Sequence, residues 1–302
     1  MSAPVLFDRA LHRRRLDRAA PQFAAADFLK RRAAEDAVFR LEAILRDFPV
    51  AVDLGARSGA FGEALAGSAA DRRIGLLLET DFSERMLLGR AGVVADEERL
   101  PFAPASVDLV VSLLALHWTN DLPGALIQIR RALKPDGLFV GALFGGETLT
   151  ELRHALLQAE AELTGGAGLR VSPFAEGSDG AALLQRAGFA IPVTDVDRVT
   201  VRYRHPLELL RDLRRMGETN VLLNRDRRPL SRAVLARAFE VYQERYGLED
   251  GRVPATFEIV TVTGWAPHES QQKPLRPGSA KMRLADALGT VEVPTGVKPG
   301  EA

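Results

Sequence analysis

The 302-residue chain contains no cysteine. This absence excludes disulfide bonds, a thiolate nucleophile, zinc sites with cysteine ligands and iron–sulfur clusters held by cysteine. The chain also lacks an excess of either charge, because 40 lysines and arginines balance 40 aspartates and glutamates. A net charge of zero gives no indication of binding to nucleic acid or to a membrane surface.

Long apolar runs are also missing. The longest, VVSLLALHW at 110–118, is far shorter than the ~20 residues of a membrane-spanning helix. The N-terminus has no apolar core of the kind found in secretory signals. Apolar residues make up 46% of the chain and charged residues 26%, which is the composition of an ordinary globular protein.

Strand and helix patterns alternate between residues 49 and 144. Apolar runs without alternation, separated by helical segments, predict a parallel sheet covered on both faces. Five such runs occur: VAVDL, RIGLLLE, GVVAD, SVDLVVSLLAL and GLFVGALF. Two later segments, DRVTVRYR and FEIVTVTGW, alternate and predict antiparallel strands added at the sheet edge. The fold class is therefore α/β, a doubly wound seven-stranded sheet that is mostly parallel with an antiparallel edge strand.

The same patterns divide the chain into three parts. Residues 1–48 form an N-terminal helical cap, which includes one predicted helix over 27–47. Residues 49–266 form the main domain, with an insertion of two helices at about 205–247. Residues 267–302 are rich in proline, glycine, lysine and serine and predict a flexible tail.

Acidic residues follow the first three predicted strands. Because ligands of open parallel sheets bind at the carboxyl ends of the strands, Asp53, Asp81 and Asp96 are candidate ligand contacts. We expect Asp81, with Glu79 as second choice, to accept both ribose hydroxyls of a nucleoside. Asp96 is expected to accept from an adenine amino group.

The loop after the first strand reads GARSG, from Gly55 to Gly59. Its two glycines permit a tight turn and a close approach of the following helix, and its spacing suits S-adenosylmethionine better than a dinucleotide. Arg57 stands in the middle, where such loops often carry another glycine. Two interpretations are open: Arg57 binds the methionyl carboxylate of the cofactor, or it points to solvent.

Five segments resemble the landmarks of class I S-adenosylmethionine-dependent methyltransferases: VDLGARSG, LETDFSERML, VVADEERLPF, VDLVVSLLALHW and RALKPDGLFVGALFGG. The resemblance implies a Rossmann-like class I methyltransferase fold with S-adenosylmethionine as cofactor. The cofactor-binding residues that we predict are Asp53, Gly55, Arg57, Gly59, Asp81, Phe82, Asp96, Glu97 and Leu113. The LPF segment is typical of the group that includes the malonyl-acyl-carrier-protein methyltransferase of biotin synthesis.

Later segments resemble one family more closely, the mitochondrial respiratory complex I assembly factor 5 proteins and their bacterial relatives. They are FDRALHRRRLDRAA, LALHWTNDLPGALIQI, FGGETLTELR, SPF, MGETN, VPATFEIVTVTGW and HESQQKP. This resemblance implies an enzyme that modifies, by hydroxylation or methylation, an arginine of a complex I subunit during assembly. The implied location is cytoplasmic, with a peripheral position at the inner membrane face as a further option.

The catalytic candidates are His117, Trp118 and Glu147. The first two follow the fourth strand, where His117 could act as a base and Trp118 could stack on adenine or line the substrate pocket. The alternative is a purely structural role, in which both side chains only pack within the loop. Glu147 lies where substrate should approach, and an acidic groove for an arginine could include Glu147 and Glu218. No metal site is predicted, because no histidine begins an H-x-[DE] pair.

Two other functions stay open at this point. The chain could be a methyltransferase for a small carboxylate or an acyl-carrier-protein thioester, which predicts a closed pocket of that size. It could also be a non-catalytic assembly factor in which the cofactor is a structural ligand. Modification of a protein arginine predicts an open acidic groove instead.

Overall fold

A computed structural model describes residues 5–174, 179–272, 279 and 282–291. The chain forms two compact units, Met1–His268 and Glu269–Ala302. The first contains the complete sheet. The second contains one short helix among its described residues, and much of the predicted flexible tail lies outside them.

The strands of the first unit form one seven-stranded sheet in the order β3-β2-β1-β4-β5-β7-β6. The first five in this order run parallel, and β7 is antiparallel to both β5 and β6. The seven-stranded α/β prediction is confirmed, with the antiparallel strand one place inside the edge. The bounds are β1 Phe48–Leu54, β2 Ile74–Asp81, β3 Gly92–Val94, β4 Val107–Leu113, β5 Leu133–Phe144, β6 Ala190–Tyr203 and β7 Val253–Trp265.

Helices cover the sheet and build the cap and the insertion. The two helices expected within 205–247 are present as α7 and α8. The α-helices of the described residues are α1 Arg9–Ala19, α2 Phe28–Glu42, α3 Ala60–Leu65, α4 Leu122–Ala132, α5 Thr150–Thr164, α6 Asp179–Arg186, α7 Pro206–Arg215, α8 Arg232–Tyr246 and α9 Leu284–Leu288.

The core lies around the central strands. Every residue of β4 is buried, as expected for an interior parallel strand covered on both faces. One buried cluster joins α2 to this strand through Ala33, Ala37 and Leu109. A second cluster, on α4 and the opposite face, includes Leu126 and Ile129. The strand order switches between β1 and β4, which is where ligands bind in such sheets.

Two boundaries differ from the sequence prediction. The helix predicted over 27–47 ends at Glu42, because β1 begins at Phe48 and the chain needs the intervening residues to turn. Leu45, which fitted the helical spacing, is largely exposed. The segment SERMLLGR, one of the predicted helical segments between the apolar runs, forms only a single 3₁₀ turn, Glu84–Leu87.

Within the described part of the chain, no helix combines the length and the apolar composition needed to cross a membrane. The same residues contain no group of three or more histidine, aspartate or glutamate side chains that could hold a metal ion.

Gly55, after β1, has a left-handed backbone with φ +79°, and a Cβ there would lie 2.5 Å from Cβ of Ala115. Gly67 has the same φ but open space around it. We predict that Gly67→Ala lowers the free energy of unfolding by about 1–2 kcal/mol, the cost of the left-handed backbone. Gly55→Ala should cost roughly 2–5 kcal/mol, because the clash adds to that strain. Denaturant unfolding of both variants measures the difference, and equal losses would contradict this packing.

Candidate cofactor and substrate site

Acidic residues lie at the ends of β1, β2 and β3, and two arginines connect those at the ends of β2 and β3. Asp53 and Asp81 are completely buried at the ends of β1 and β2, and so is Glu97 after β3. Arg57 lies 2.8 Å from Asp81 and 3.9 Å from Glu97, while Arg9 of α1 bonds both Glu97 and its neighbour Asp96.

Arg57 is only 1% exposed and does not point to solvent. Its backbone N–H and its Nη1 both donate to the carboxylate of Asp81, at 2.8–2.9 Å. The N–H of Ser83 donates to the same carboxylate at 2.8 Å. The group predicted to hold the ribose therefore already accepts hydrogen bonds at both oxygens. Arg57 has φ +52°, a left-handed conformation that is uncommon outside glycine.

Arg9 binds the carboxylate that was predicted to accept from the adenine amino group. Its Nη2 donates to Asp96 at 2.7 Å and also to Glu97. Its guanidinium carbon lies 4.2 Å from the centroid of the Phe82 ring, which is a cation–π arrangement. Asp96 and Phe82 thus contact a side chain of the N-terminal helix in this structure.

The second choice for ribose, Glu79, is also paired. Arg90 donates to Glu79 at 2.6 Å and to the backbone oxygen of Arg57. Gly59, at φ +82°, begins α3 beside this pair, and a Cβ at this position would meet the Arg90 guanidinium. The GARSG loop is therefore held by charged side chains on both sides.

A lysine that the sequence reasoning missed lies beside Asp53. Lys30 of α2 is buried and donates to the backbone oxygens of Gly55 and Leu113, at 2.6 and 2.8 Å. Both carboxylate oxygens of Asp53 are buried without a hydrogen-bond partner among the described residues. Burial raises the pKa of Asp53 to about 6, which Lys30 opposes. Burial lowers the pKa of Lys30 to about 8, which Asp53 opposes.

The sequence contained a signal for Lys30. It precedes Ala33, Ala34 and Ala37 by three, four and seven residues, so the helical period places it on the buried face of α2. A lysine on such a face requires partners.

His117 and Trp118 converge on Glu218, which lies in the loop after α7. Trp118 Nε1 donates to Glu218 Oε2 at 2.8 Å, and His117 Nε2 lies 3.2 Å from the same oxygen. Glu218 Oε1 takes part in no hydrogen bond among the described residues. Two of the three residues predicted as catalytic therefore orient Glu218, which the sequence analysis named only as part of an acidic groove.

A cavity of about 550 Å³, the large cavity, lies between α1, α5, α7 and the loop 217–230. Trp118, Phe144 and Glu218 contribute to its wall, so Trp118 lines this cavity and its ring packs edge-on against Phe7. A much smaller cavity, the small cavity, is lined by Phe144 and Glu218 together with Lys30 and Arg57. Glu218 thus stands between the large cavity and the carboxyl ends of the strands.

The structure does not bring Glu147 to this site. Its side chain is exposed and lines neither cavity. The next residue, Thr148, is buried, lines the large cavity and donates to the backbone oxygen of Glu258. Because neighbouring side chains point in different directions, the inward position belongs to Thr148.

Comparisons with known proteins agree with this geometry. The family model described as "Methyltransferase domain" matches residues 52–141, from β1 into β5. The arginine-hydroxylase NDUFAF5 of Danio rerio, a mitochondrial protein, is 43% identical over 290 residues, which cover 93% of this chain and 89% of that protein. The chain belongs to the NDUFAF5 family.

The chain is also similar to a second group of enzymes. The malonyl-[acyl-carrier protein] O-methyltransferase of Methylovorus is 34% identical over 300 residues, with 95% of both chains covered. A solved structure from Bacillus halodurans, described as a candidate methyltransferase, aligns with 78% of this chain and 99% of its own at a TM-score of 0.52 and 16% identity. The predictions of family, class I methyltransferase fold and enzyme are confirmed.

The carboxylates of this NDUFAF5 family member have the chemistry to hold S-adenosylmethionine, but the space between them is filled. The carboxylates of Asp81 and Asp96 can accept hydrogen bonds from hydroxyl and amino groups. Both carboxylate oxygens of Asp53 have no hydrogen-bond donor among the described residues. The guanidinium groups of Arg57 and Arg9 occupy the region between these carboxylates. The residues therefore fit a nucleoside only after the two arginines have released their partners.

The raised pKa of Asp53 predicts a specific pH dependence. An unfolded aspartate has a pKa of about 3.9. Between this value and about 6 the folded protein binds a proton that the unfolded chain does not, so its stability falls as pH rises through this window. Asp53→Asn removes this dependence, and the stability difference between wild type and variant should change by roughly 1–3 kcal/mol between pH 4 and 7.

Urea unfolding at several pH values measures this difference. Asp47→Asn, at an exposed position before β1, is the matched control. A difference between wild type and Asp53→Asn that stays constant from pH 4 to 7 would refute the assignment.

Proposed function

We propose that this enzyme modifies an arginine side chain of a protein substrate, with S-adenosylmethionine bound at the carboxyl ends of β1, β2 and β3. The arginine follows from the relatives named arginine-hydroxylases. The motif resemblance extends the proposal to a subunit of respiratory complex I, modified during assembly by methylation, for which S-adenosylmethionine supplies the methyl group, or by hydroxylation, for which an external oxidant such as dioxygen supplies the oxygen atom. A cytoplasmic location, with peripheral association at the inner membrane face, stays a prediction.

The observation that carries the proposal is the carboxylate of Glu218. Its Oε2 is fixed by Trp118 and His117, and its Oε1 is free to accept a hydrogen bond. An arginine entering the large cavity would meet the carboxylate of Glu218 in the cavity wall, where a charge-assisted hydrogen bond can form. Because two donors already fix the carboxylate, little orientation entropy is lost on binding.

The other residues of the site supply binding and orientation. Asp81 and Asp96 would accept the ribose hydroxyls and the adenine amino group, and the Gly55–Gly59 turn brings the backbone close to the ligand. S-adenosylmethionine, when bound, supplies an activated methyl group on a sulfonium. Glu218 would hold the substrate guanidinium next to the small cavity, which Lys30 and Arg57 line on the cofactor side.

Methyl transfer to a carboxylate of an acyl-carrier-protein thioester is the second candidate. It is favoured by the relative with that activity and by several arginines that line the large cavity. The carboxylate in the cavity wall argues against it, because Glu218 would repel a substrate carboxylate. A guanidinium is the better match there.

The role of Glu218 predicts the outcome of a substitution. Glu218→Gln keeps the shape but removes the charge, so modification of the substrate arginine should fall at least about tenfold, the effect of losing ~1.4 kcal/mol. Mass spectrometry of complex I subunits from a gene deletion strain complemented with each variant measures the product. An added oxygen indicates hydroxylation and an added methylene indicates methylation.

Glu147→Gln is the matched control and should leave the modification at the wild-type level. Loss of modification in this control, with full modification by Glu218→Gln, would reverse the assignment. If the arginines of complex I have the same masses with and without the gene, the enzyme does not modify them and the proposal fails.

The position of Arg57 predicts the effect of its removal on cofactor binding. Breaking a buried ion pair costs about 3–5 kcal/mol, and the nucleoside must break the pair between Arg57 and Asp81 to reach that carboxylate. Arg57→Gly removes this cost and suits the left-handed backbone at φ +52°. Its affinity for S-adenosylmethionine should exceed that of wild type by about tenfold or more in titration calorimetry.

Two further variants control this measurement. The double variant Arg57→Gly with Asp81→Asn should lose the gain, because the ribose acceptor is gone. Arg32→Ala removes an exposed arginine paired with Asp197 and should bind like wild type. Equal affinities of wild type and Arg57→Gly would show that Arg57 does not obstruct the nucleoside.

A further inference from the structure

The wall of the large cavity contains a group of arginines that the proposed reaction does not use. They lie on α1, in the segment before α6 and in the loop after α7. The group consists of Arg15, Arg170, Arg225, Arg227 and Arg228. The carboxylates of this wall are Glu218 and Asp226.

Among the described residues, three of these five arginines have no partner of opposite charge. Arg170 is paired with Glu160 and Asp226, and Arg225 lies 3.8 Å from Asp8. Arg15, Arg227 and Arg228 form no ion pair within the described part of the chain.

Arg15 is the most constrained of the three. It is half-buried and makes no hydrogen bond through its side chain among the described residues. Burial lowers the pKa of Arg15, and repulsion from Arg225, Arg18 and Arg214 lowers it further, while Asp8 opposes the shift. An unpaired guanidinium in such surroundings is stabilised by an anion that reaches it.

The remaining wall of the cavity is apolar. Leu11, Leu152, Leu210, Leu213 and Phe257 contribute to it. The large cavity therefore combines three chemistries: a carboxylate where it meets the small cavity, an apolar wall, and unpaired arginines, of which Arg227 and Arg228 are exposed.

We propose that the large cavity binds a segment of a protein in which an acidic side chain lies close to the arginine that is modified. Arg15 and Arg228 hold the acid, the apolar wall holds the side chains between, and Glu218 holds the guanidinium. This inference rests on the proposed function for the arginine, and it adds the sequence character of the substrate. Arg15 belongs to a basic segment of α1, HRRRLDR at 12–18, and the proposal gives this arginine a role.

Charge complementarity selects this occupant. A segment with basic residues around its arginine would bring cations to Arg15 and Arg228, and rim charges of like sign exclude wrong partners. A simple amphiphilic anion would satisfy the arginines but leave Glu218 Oε1 without a donor. A segment that carries both charges satisfies both ends.

The test uses labelled synthetic peptides and the full chain, with binding followed by fluorescence anisotropy. The probe peptide is acetyl-Gly-Glu-Leu-Arg-Leu-Glu-Gly. One matched peptide has glutamine at both glutamate positions, and a second has citrulline instead of arginine. On the wild-type protein, the glutamine peptide should bind about tenfold more weakly than the probe. On the double variant Arg15→Gln with Arg228→Gln, this difference should fall below about twofold.

The matched control is Arg14→Gln with Arg232→Gln, which removes two exposed arginines outside the cavity wall and should keep the preference for glutamate. The inference is overturned if the glutamine peptide binds wild type as tightly as the probe, or if the preference survives in the Arg15 and Arg228 variant. Failure of the probe to bind at millimolar concentration also contradicts it.

The citrulline peptide tests the proposed function separately. The citrulline peptide should bind the wild-type protein more weakly than the probe does. On Glu218→Gln, the citrulline peptide and the probe should bind with the same affinity. If citrulline has no effect while the glutamate preference holds, the arginine assignment fails and the acid subsite stands. The two failures are therefore distinguishable.

Discussion

The buried ion pair between Arg57 and Asp81 determines the state of the whole site. An unpaired charge in this position would cost several kcal/mol, so the pair holds the loop after β1 against the end of β2. Arg57 also faces Glu97, which is bound by Arg9 of the N-terminal helix. One network of charges thus connects two strand ends, the loop and α1. The same carboxylates that suit a nucleoside are therefore satisfied by the chain itself.

This arrangement separates the cofactor side of the enzyme from its substrate side. The proposed cofactor side is dominated by internal ion pairs, in which Arg57 and Arg9 hold the carboxylates of Asp81, Asp96 and Glu97. The substrate side is a cavity of about 550 Å³ that is already present. Glu218 stands between them, held by Trp118 and His117. In the proposed function, the substrate arginine reaches this carboxylate through the large cavity, while a nucleoside reaches Asp81 only if the pair with Arg57 breaks.

The sheet could be read from the sequence because buried parallel strands produce long apolar runs, and their ends indicate the ligand edge. Local patterns could not reveal the partners of side chains distant in sequence. Arg57 was expected to bind the cofactor or to point to solvent. Nothing in GARSG indicates that its guanidinium lies within 3 Å of the carboxylate of Asp81, which is 24 positions further along the chain. Glu147 was preferred over Glu218 because it was expected to lie where the substrate approaches. The inward direction of the insertion loop is set by tertiary packing, which the sequence pattern does not encode.

A crystal structure of the chain with S-adenosylhomocysteine would test the central claim most directly. The claim is that Asp81 is the ribose acceptor and that Arg57 closes the site when no nucleoside is bound. We expect the ribose hydroxyls on the carboxylate of Asp81, with the Arg57 guanidinium displaced from it. A nucleoside bound elsewhere, or bound while the Arg57–Asp81 pair stays intact, would contradict the account.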